Sequence, residues 1–279
     1  MDEKRKSLID FFAQYDIYLL SNIDDNNITQ IYNNNDKFHR YGHYLNDIDH
    51  NDNIMIKCYL LSIEFYNNSE SMCSIGLYYK KINDFENMKK YYLMSIELKN
   101  SRSMFNLANF YRRIEKNEEL LVKYFLMADQ YGDQDALIMI GNYHKDNNNY
   151  DLMEKYYMMA IDKGYMNASY NLANYHKDIS LDHNLMIHYY MMAIDKNHVR
   201  AMYHLAKYYY DHKNFILMHK FGLMAVNNNN IEAMILLADY YKINNDQISR
   251  DTYFKKAMDL FDKSDDKLFL LGKFIDHVL

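Results

Sequence analysis

The sequence predicts an all-α fold, an α-solenoid of tandem helical hairpins with a 32–34-residue period, and three observations carry that expectation. A small residue recurs at Gly42, Gly76, Ala108, Gly141, Ala173, Ala206, Ala238 and Gly272, at intervals of 32 to 34 residues. A second small-residue register runs through Ser62, Ser95, Ala128, Ala160, Ala193, Ala225 and Ala257. Proline is absent and glycine occurs 7 times in 279 residues, so the strongest helix breakers are almost missing. Periodicity on this scale is the signature of stacked supersecondary units.

Taken in order, residues 1–36 lie outside the clear repeats, and "SLIDFFAQYDIYLL" is expected to form a capping helix. The repeats occupy 37–266, about seven units, and 267–279 is expected to be a lone helix closing the other end. Within each unit the first register sits in phrases such as "SIGLYY", "NLANFY" and "LLADYY". A small residue lies five before it in six units, Ile or Leu one before, and an aromatic or His two or three after. These positions share one arc at about 100° per residue, which describes an amphipathic helix. The second register lies in a further helix with aromatics just before the small residue; its octapeptide "YYMMAIDK" appears twice, at 156–163 and 189–196. Small residues let two helices approach closely, and Asn-rich segments such as "HKDNNNYD" supply the turns. Each hairpin buries its apolar face against its neighbours.

The phrase "YYMMAIDKGYMNASYNLANY" at 156–175 resembles the Sel1-like repeat, a branch of the tetratricopeptide superfamily. Tyr156, Tyr157, Ala160, Gly164, Ala168, Leu172, Ala173 and Tyr175 carry the likeness, and the step of 13 from Ala160 to Ala173 recurs along the chain. The family's Gly-containing loop is missing, and a Gly after the second helix survives only as Gly132 and Gly164. The resemblance implies a right-handed superhelix that scaffolds protein complexes without enzymatic activity.

Composition narrows function. A net charge of −6 disfavours general nucleic-acid binding, which relies on a basic surface. No apolar run approaches a membrane span, and the N-terminus lacks the pattern of a secretion signal, so a cytoplasmic protein is expected. Abundant Asn, Ile, Lys and Tyr suggest an AT-rich genome, such as that of a protist or a large DNA virus. The two cysteines, Cys58 and Cys73, form no CxxC and are expected to be buried thiols. His39 and His43 lie four apart without a third metal ligand, whereas His144 and His176 replace a repeat Tyr and are expected to pack. No catalytic motif and no cofactor signature is present, and no enzyme, cofactor or metal is expected.

The positions three before, one after and four after the first register lie opposite the core arc and should line a concave groove. One after, the residues are Asn109, Asn142, Asn174 and Lys207; four after, they are Lys80, Arg112, Lys145, Lys177, Tyr210 and Lys242. Asparagine can hold both polar groups of an extended backbone, and Lys or Arg can receive carboxylates. These side chains are expected to face solvent and to bind an extended or helical peptide of another protein, acidic or presenting its C-terminus. The alternative is self-assembly through a stripe of Leu and Met on the second helices, including Leu60-Leu61, Leu93-Met94, Met158-Met159 and Met191-Met192.

Overall fold

The computed structural model describes residues 2–15, 17, 23–49 and 51–261, so the helix expected at 267–279 lies outside the described residues. The chain is an all-α solenoid with no strand among the described residues, and it divides into two compact units, 1–143 and 144–279. The first unit holds α1 (Asp2–Ala13), α2 (Asp25–Tyr32), α3 (Lys37–Tyr44), α4 (Asp52–Tyr66), α5 (Ser69–Lys81), α6 (Phe85–Glu97), α7 (Ser101–Phe110) and α8 (Glu118–Gln130). Helices α3 and α7 each run on into a five-residue π-helical segment, Leu45–Asp49 and Tyr111–Glu115. Helix α9 (Ala136–Asp146) crosses the division. The second unit continues with α10 (Tyr150–Asp162), α11 (Asn167–Asp178), α12 (His183–Ile194), α13 (Val199–Asp211), α14 (Phe215–Asn227), α15 (Ile231–Ile243) and α16 (Gln247–Phe261). In the first unit α3 packs on α4, α5 on α6 and α7 on α8; in the second, α11 packs on α12, α13 on α14 and α15 on α16.

The Asn-rich punctuation has a specific chemistry. Turns between helices are built on a residue pair: the first takes a left-handed backbone and the second caps the next helix. Asn148 (φ 57°) precedes Asn149, Asn229 (φ 59°) precedes Asn230, and Lys99 (φ 63°) precedes Asn100. The caps accept from the amide three residues on, as Asn230 Oδ1 does from Ala233 N at 2.7 Å. Asparagine suits both places, because it tolerates the left-handed region and ranks among the best N-caps. Gly132 and Gly164 take the left-handed place after α8 and α10, at φ 91° and 85°.

Two adjacent aromatics on the second helix of a hairpin do different work. The first stacks flat on a ring three residues past the first-register position. Tyr79 meets Tyr91, Tyr111 meets Tyr124, His144 meets Tyr156, His176 meets Tyr189, Tyr209 meets Phe221 and Tyr241 meets Tyr253, with interplanar angles of 4° to 11°. His144 and His176 are therefore packing rings in a Tyr position, as the repeat pattern predicts. The second ring lies against the small first-register residue: Tyr59 covers Gly42, and Tyr92 covers Gly76. Tyr59, Tyr92, Tyr157 and Tyr190 are among the largest fully buried side chains.

Where one hairpin meets the next, the first unit uses serine pairs, Ser62 with Ser71 at 2.7 Å and Ser95 with Ser103 at 2.8 Å. The equivalent places further along are buried alanines, Ala128 and Ala136 still in the first unit, then Ala160 and Ala168, Ala193 and Ala201, Ala225 and Ala233. At the N-terminus the expected helix is shorter than "SLIDFFAQYDIYLL" suggests. It ends at Ala13 because the Phe12 carbonyl accepts from both Tyr15 N and Ile17 N, closing a turn. Leu8 and Phe12 are fully buried, and Phe12 lies against Tyr41 of α3 at a centroid distance of 4.8 Å.

Most of the Leu/Met stripe is half-buried. Tyr189 of α12 directs its hydroxyl to Met158 Sδ of α10 at 3.7 Å, so here the stripe packs one second helix on the next. Leu60 and Leu93 remain more open, each 42% exposed.

Candidate functional site

Among the described residues, open clefts lie between successive first helices in both units. In the first unit a cleft of about 210 Å³ is walled by His43 and Asn46 from α3 and its π segment and by Ser74, Leu77, Tyr78 and Lys81 from α5. Tyr59 forms its floor and Arg102 of α7 its far rim. Burial pushes the His43 imidazole down; Asp47 opposes this, while Arg102 and Arg40 add to it. In the second unit a cleft of about 210 Å³ lies between α13 and α15, lined by Tyr203, Lys207 and Tyr210 facing Glu232, Ile235, Leu236 and Asp239. Tyr203, Lys207 and Tyr210 stand three before, one after and four after the first-register Ala206.

The sequence-predicted cations occupy varied settings. Lys80 is half-buried, its ammonium pushed down first by burial and then by the neighbouring Arg113. Arg112 and Arg113 follow α7 in its π segment, and Arg113 lies near enough to act on the Lys80 ammonium of α5. In the second unit Lys145 is half-buried and Lys242 exposed. Lys177 pairs with Asp178 at 3.3 Å, and Lys207 pairs with Asp211 at 2.6 Å while lying 5.3 Å from the Tyr210 ring centre.

The asparagines depart from expectation, since none of the three is fully solvent-facing. Asn109 Nδ2 donates to the Phe105 carbonyl of its own helix at 3.2 Å, and Asn142 Nδ2 lies 4.0 Å from Met139 Sδ. Asn174 Oδ1 accepts from the buried Tyr190 hydroxyl at 2.7 Å. The physical reason is angular: one residue past the register is about 100° around the helix, which brings a short side chain to the edge of the facing ring. Asn174→Ala is therefore expected to lower folding stability by about 1 kcal/mol in urea melts, because the Tyr190 hydroxyl loses its acceptor. Asn109→Ala, which removes only a contact within its own helix, should stay within about 0.5 kcal/mol of the parent.

Sequence reasoning missed Lys81, Arg102, Glu232 and Asp239. For Arg102 and Glu232 a signal was available six residues before the register, where Glu70, Arg102, Asp135, Arg200 and Glu232 are charged and only Asn167 interrupts the series from Gly76 to Ala238. One arrangement imitates a catalytic triad: His39 Nδ1 contacts Ser71 Oγ at 2.7 Å, Ser71 contacts Ser62 at 2.7 Å, and Ser62 donates to Asp36. Ser62 and Ser71 are both 0% exposed, so no substrate reaches either hydroxyl. Burial raises the Cys58 thiol to about 12 and also raises Cys73, which keeps both from serving as thiolates near neutral pH. Among the described residues no three His, Cys, Asp or Glu side chains are grouped to hold a metal ion, and no helix is long and apolar enough to cross a membrane.

A tetratricopeptide-repeat family model matches residues 69–102, which contain the α5–α6 hairpin. The fold is similar to that of a Sel1 repeat protein from Oxalobacter formigenes, at 21% identity and a TM-score of 0.50, covering 80% of this chain and 97% of that one. It is also similar to a protective antigen of uropathogenic Escherichia coli strains that displays an SLR fold, at 16% identity and a TM-score of 0.51. That likeness covers 73% of this chain and 48% of the antigen, so the chain spans about half the antigen's length. No curated protein matches the sequence.

Proposed function

We propose that this chain, a Sel1-like repeat protein of the tetratricopeptide type, is a non-enzymatic scaffold that holds a peptide segment of another protein between its first helices. Proteins of this repeat type are generally protein–protein interaction scaffolds. The observation that carries the reading is that open clefts lie between successive first helices, α3 with α5 and α13 with α15, while the hairpin interiors are filled by stacked rings. Function is thus separated from packing by face. In the first unit Lys80, Arg112, Arg113 and Lys81 offer an acidic side chain or a chain terminus several donors, with Lys80 partly desolvated beside Arg113 and Lys81 lining the cleft. Lys145 and Lys177 extend that chemistry to the second unit. Asn109 can turn toward a ligand backbone at little cost, whereas Asn174 would first release Tyr190.

Capture of partners on the immobilised chain, followed by titration of charge-reversal variants at two salt concentrations, tests this. Lys80→Glu, and separately Lys145→Glu with Lys177→Glu, should weaken binding about tenfold at low salt and less at 0.5 M salt, where screening shortens to about 4 Å. Helicity should be unchanged. Unchanged affinity in both variants moves the ligand off these faces. Recovery of only the chain itself would favour assembly through Leu60, Leu93 and their stripe.

A further inference from the structure

We propose that the junction between α12 and α13 is an acid-sensitive latch: a neutral His198 both caps α13 and stacks on Tyr170 of α11, and a proton on that ring releases the start of α13. The inference concerns how one hairpin is held on the next, and it is independent of the groove reading above.

The cap is the first support. His198 precedes α13 with an extended backbone, φ −72° and ψ 99°, and its Nδ1 accepts from Ala201 N at 3.2 Å. The same amide lies 3.0 Å from the His198 carbonyl, so the ring shares it. Nδ1 can accept only while it carries a lone pair, which requires the neutral ring with its proton on Nε2. The other side-chain N-caps among the described residues are Asn or Asp. An Asn does not titrate, and an Asp is already ionised near neutral pH. His198 is the cap whose acceptor is lost between about pH 7 and pH 5.

The second support is that the same ring reaches the preceding first helix. It stacks on Tyr170 of α11 at a centroid distance of 4.5 Å and an interplanar angle of 23°. Two caps in the first unit do this double duty with an amide. Asn68 caps α5 and donates to Asp36, the cap of α3, at 2.8 Å; Asn100 caps α7 and donates to Glu70 of α5 at 2.6 Å. Each fixes the entry of a first helix and ties it to the first helix before. His198 puts a titratable group in that place. The turn itself rests on contacts that do not titrate: Asn197 takes the left-handed backbone at φ 60°, and the Ala193 carbonyl accepts from His198 N at 3.1 Å. Protonation therefore loosens the entry of α13 without undoing the turn.

The charges around the ring fix the sign. Tyr170 faces it from α11 and Arg200 acts on it from α13, with His204 of α13 against the Tyr170 ring at 5.7 Å. Asp195 and Lys196, at the end of α12, are exposed, and no carboxylate is among the groups that act on the imidazole. Burial, the largest cause, pushes the ring down; its own backbone opposes this, and Arg200 adds to it. A cation here would also stand at the positive end of the helix dipole. The Tyr170 face favours a cation, yet the net displacement is downward. The released form therefore binds the proton first as pH falls. The closed latch is fully favoured above about pH 6.5 and loses that advantage below it.

Hydrogen exchange of the Ala201 amide, followed by NMR on the full chain and corrected for intrinsic rates, provides the test. The Ala233 amide is the reference, since Asn230 Oδ1 caps it in the same unit at 2.7 Å. From about pH 7.5 to about pH 5.5 the protection of Ala201 should fall about fivefold or more relative to Ala233, the factor one lost cap supplies. Ring nitrogen shifts of His198 should show Nδ1 unprotonated at the higher pH. In His198→Asn, which caps without titrating, the relative fall should vanish. A proton on Nδ1 at the higher pH, a parallel fall of Ala201 and Ala233, or a relative fall that persists in His198→Asn each overturns the latch. The first two readouts use the unaltered chain, so they decide the matter even where the variant does not fold.

Discussion

Gly76→Ala is expected to destabilise the protein, although alanine is the better helix former. A Cβ at position 76 would stand 2.5 Å from Cδ1 and Cε1 of Tyr92, closer than van der Waals contact permits. Tyr92 is 0% exposed, so its ring has no open space to swing into, and α5 and α6 must move apart. Overfilling of this kind costs about 1–3 kcal/mol, against a propensity gain of about 1 kcal/mol. A net loss of up to about 2 kcal/mol in a denaturant titration is the expected balance of those terms. Gly222→Ala is the matched control, also inside a helix. Its added methyl would meet only the end of the flexible Leu237 side chain, at 3.3 Å, and it should be neutral or stabilising. Ala173→Leu and Ala160→Leu overfill equivalent crossings and should each cost about 1–3 kcal/mol. A Gly76→Ala protein that melts at or above the parent would show that the Gly76–Tyr92 contact does not set the helix spacing.

That contact also shows which parts of the fold the sequence made legible. The two small-residue registers were visible because close helix crossings tolerate few residue types, and a solenoid repeats the same crossing. The double aromatics were visible too, but their division of labour was not. Only coordinates show that Tyr91 stacks on Tyr79 while Tyr92 covers Gly76. The Asn runs read as turns, and their left-handed and N-cap roles emerged as one chemistry shared by most junctions. The candidate site was read less well. Asn174 sits on the solvent side of the helical wheel, yet the long reach of Tyr190 draws it into the hairpin. A wheel assigns direction to a Cα and knows nothing of the facing ring. Lys207 and Tyr210 were placed in a cleft-lining stripe, but Glu232 and Arg102 lie in the first turn of their helices, where charge is easily taken for capping. The helix Asp25–Tyr32 left no periodic trace because only Ile28 and Ile31 are buried along it.

The second large effect is expected at Asp36, which joins three helices through one buried carboxylate. Its Oδ1 caps α3 by accepting from His39 N at 2.9 Å. Its Oδ2 accepts from Ser62 Oγ of α4 and from Asn68 Nδ2 at 2.8 Å, and Asn68 in turn caps α5 through Ser71 N at 3.0 Å. Asp36→Ala removes a cap worth about 1 kcal/mol and leaves two further donors without their acceptor, each at about 1–3 kcal/mol less what Ser71 can supply to Ser62. A loss of about 2–4 kcal/mol is expected, with Asp36→Asn retaining the cap and losing less. The same cluster makes stability depend on pH through His39, which contacts Ser71 at 2.7 Å. Burial, and then His43, push its imidazole from 6.5 to about 4, while Asp36 and Glu70 pull the other way and Arg40 adds slightly to the depression. The unfolded chain therefore binds the proton first as pH falls. His39's contribution is fully present above pH 6.5, is lost progressively toward pH 4, and changes no further below that. Urea midpoints measured between pH 7.5 and 4.5 should fall, and His39→Gln, which can still bond to Ser71, should flatten the slope. His43, pushed down for the same primary reason, leaves a residual slope of the same sign. An unaltered slope in His39→Gln would mean that His39 does not carry the pH dependence, and an Asp36→Ala protein within about 0.5 kcal/mol of the parent, the range of an ordinary surface change, would mean that Asp36 does not tie these three helices together.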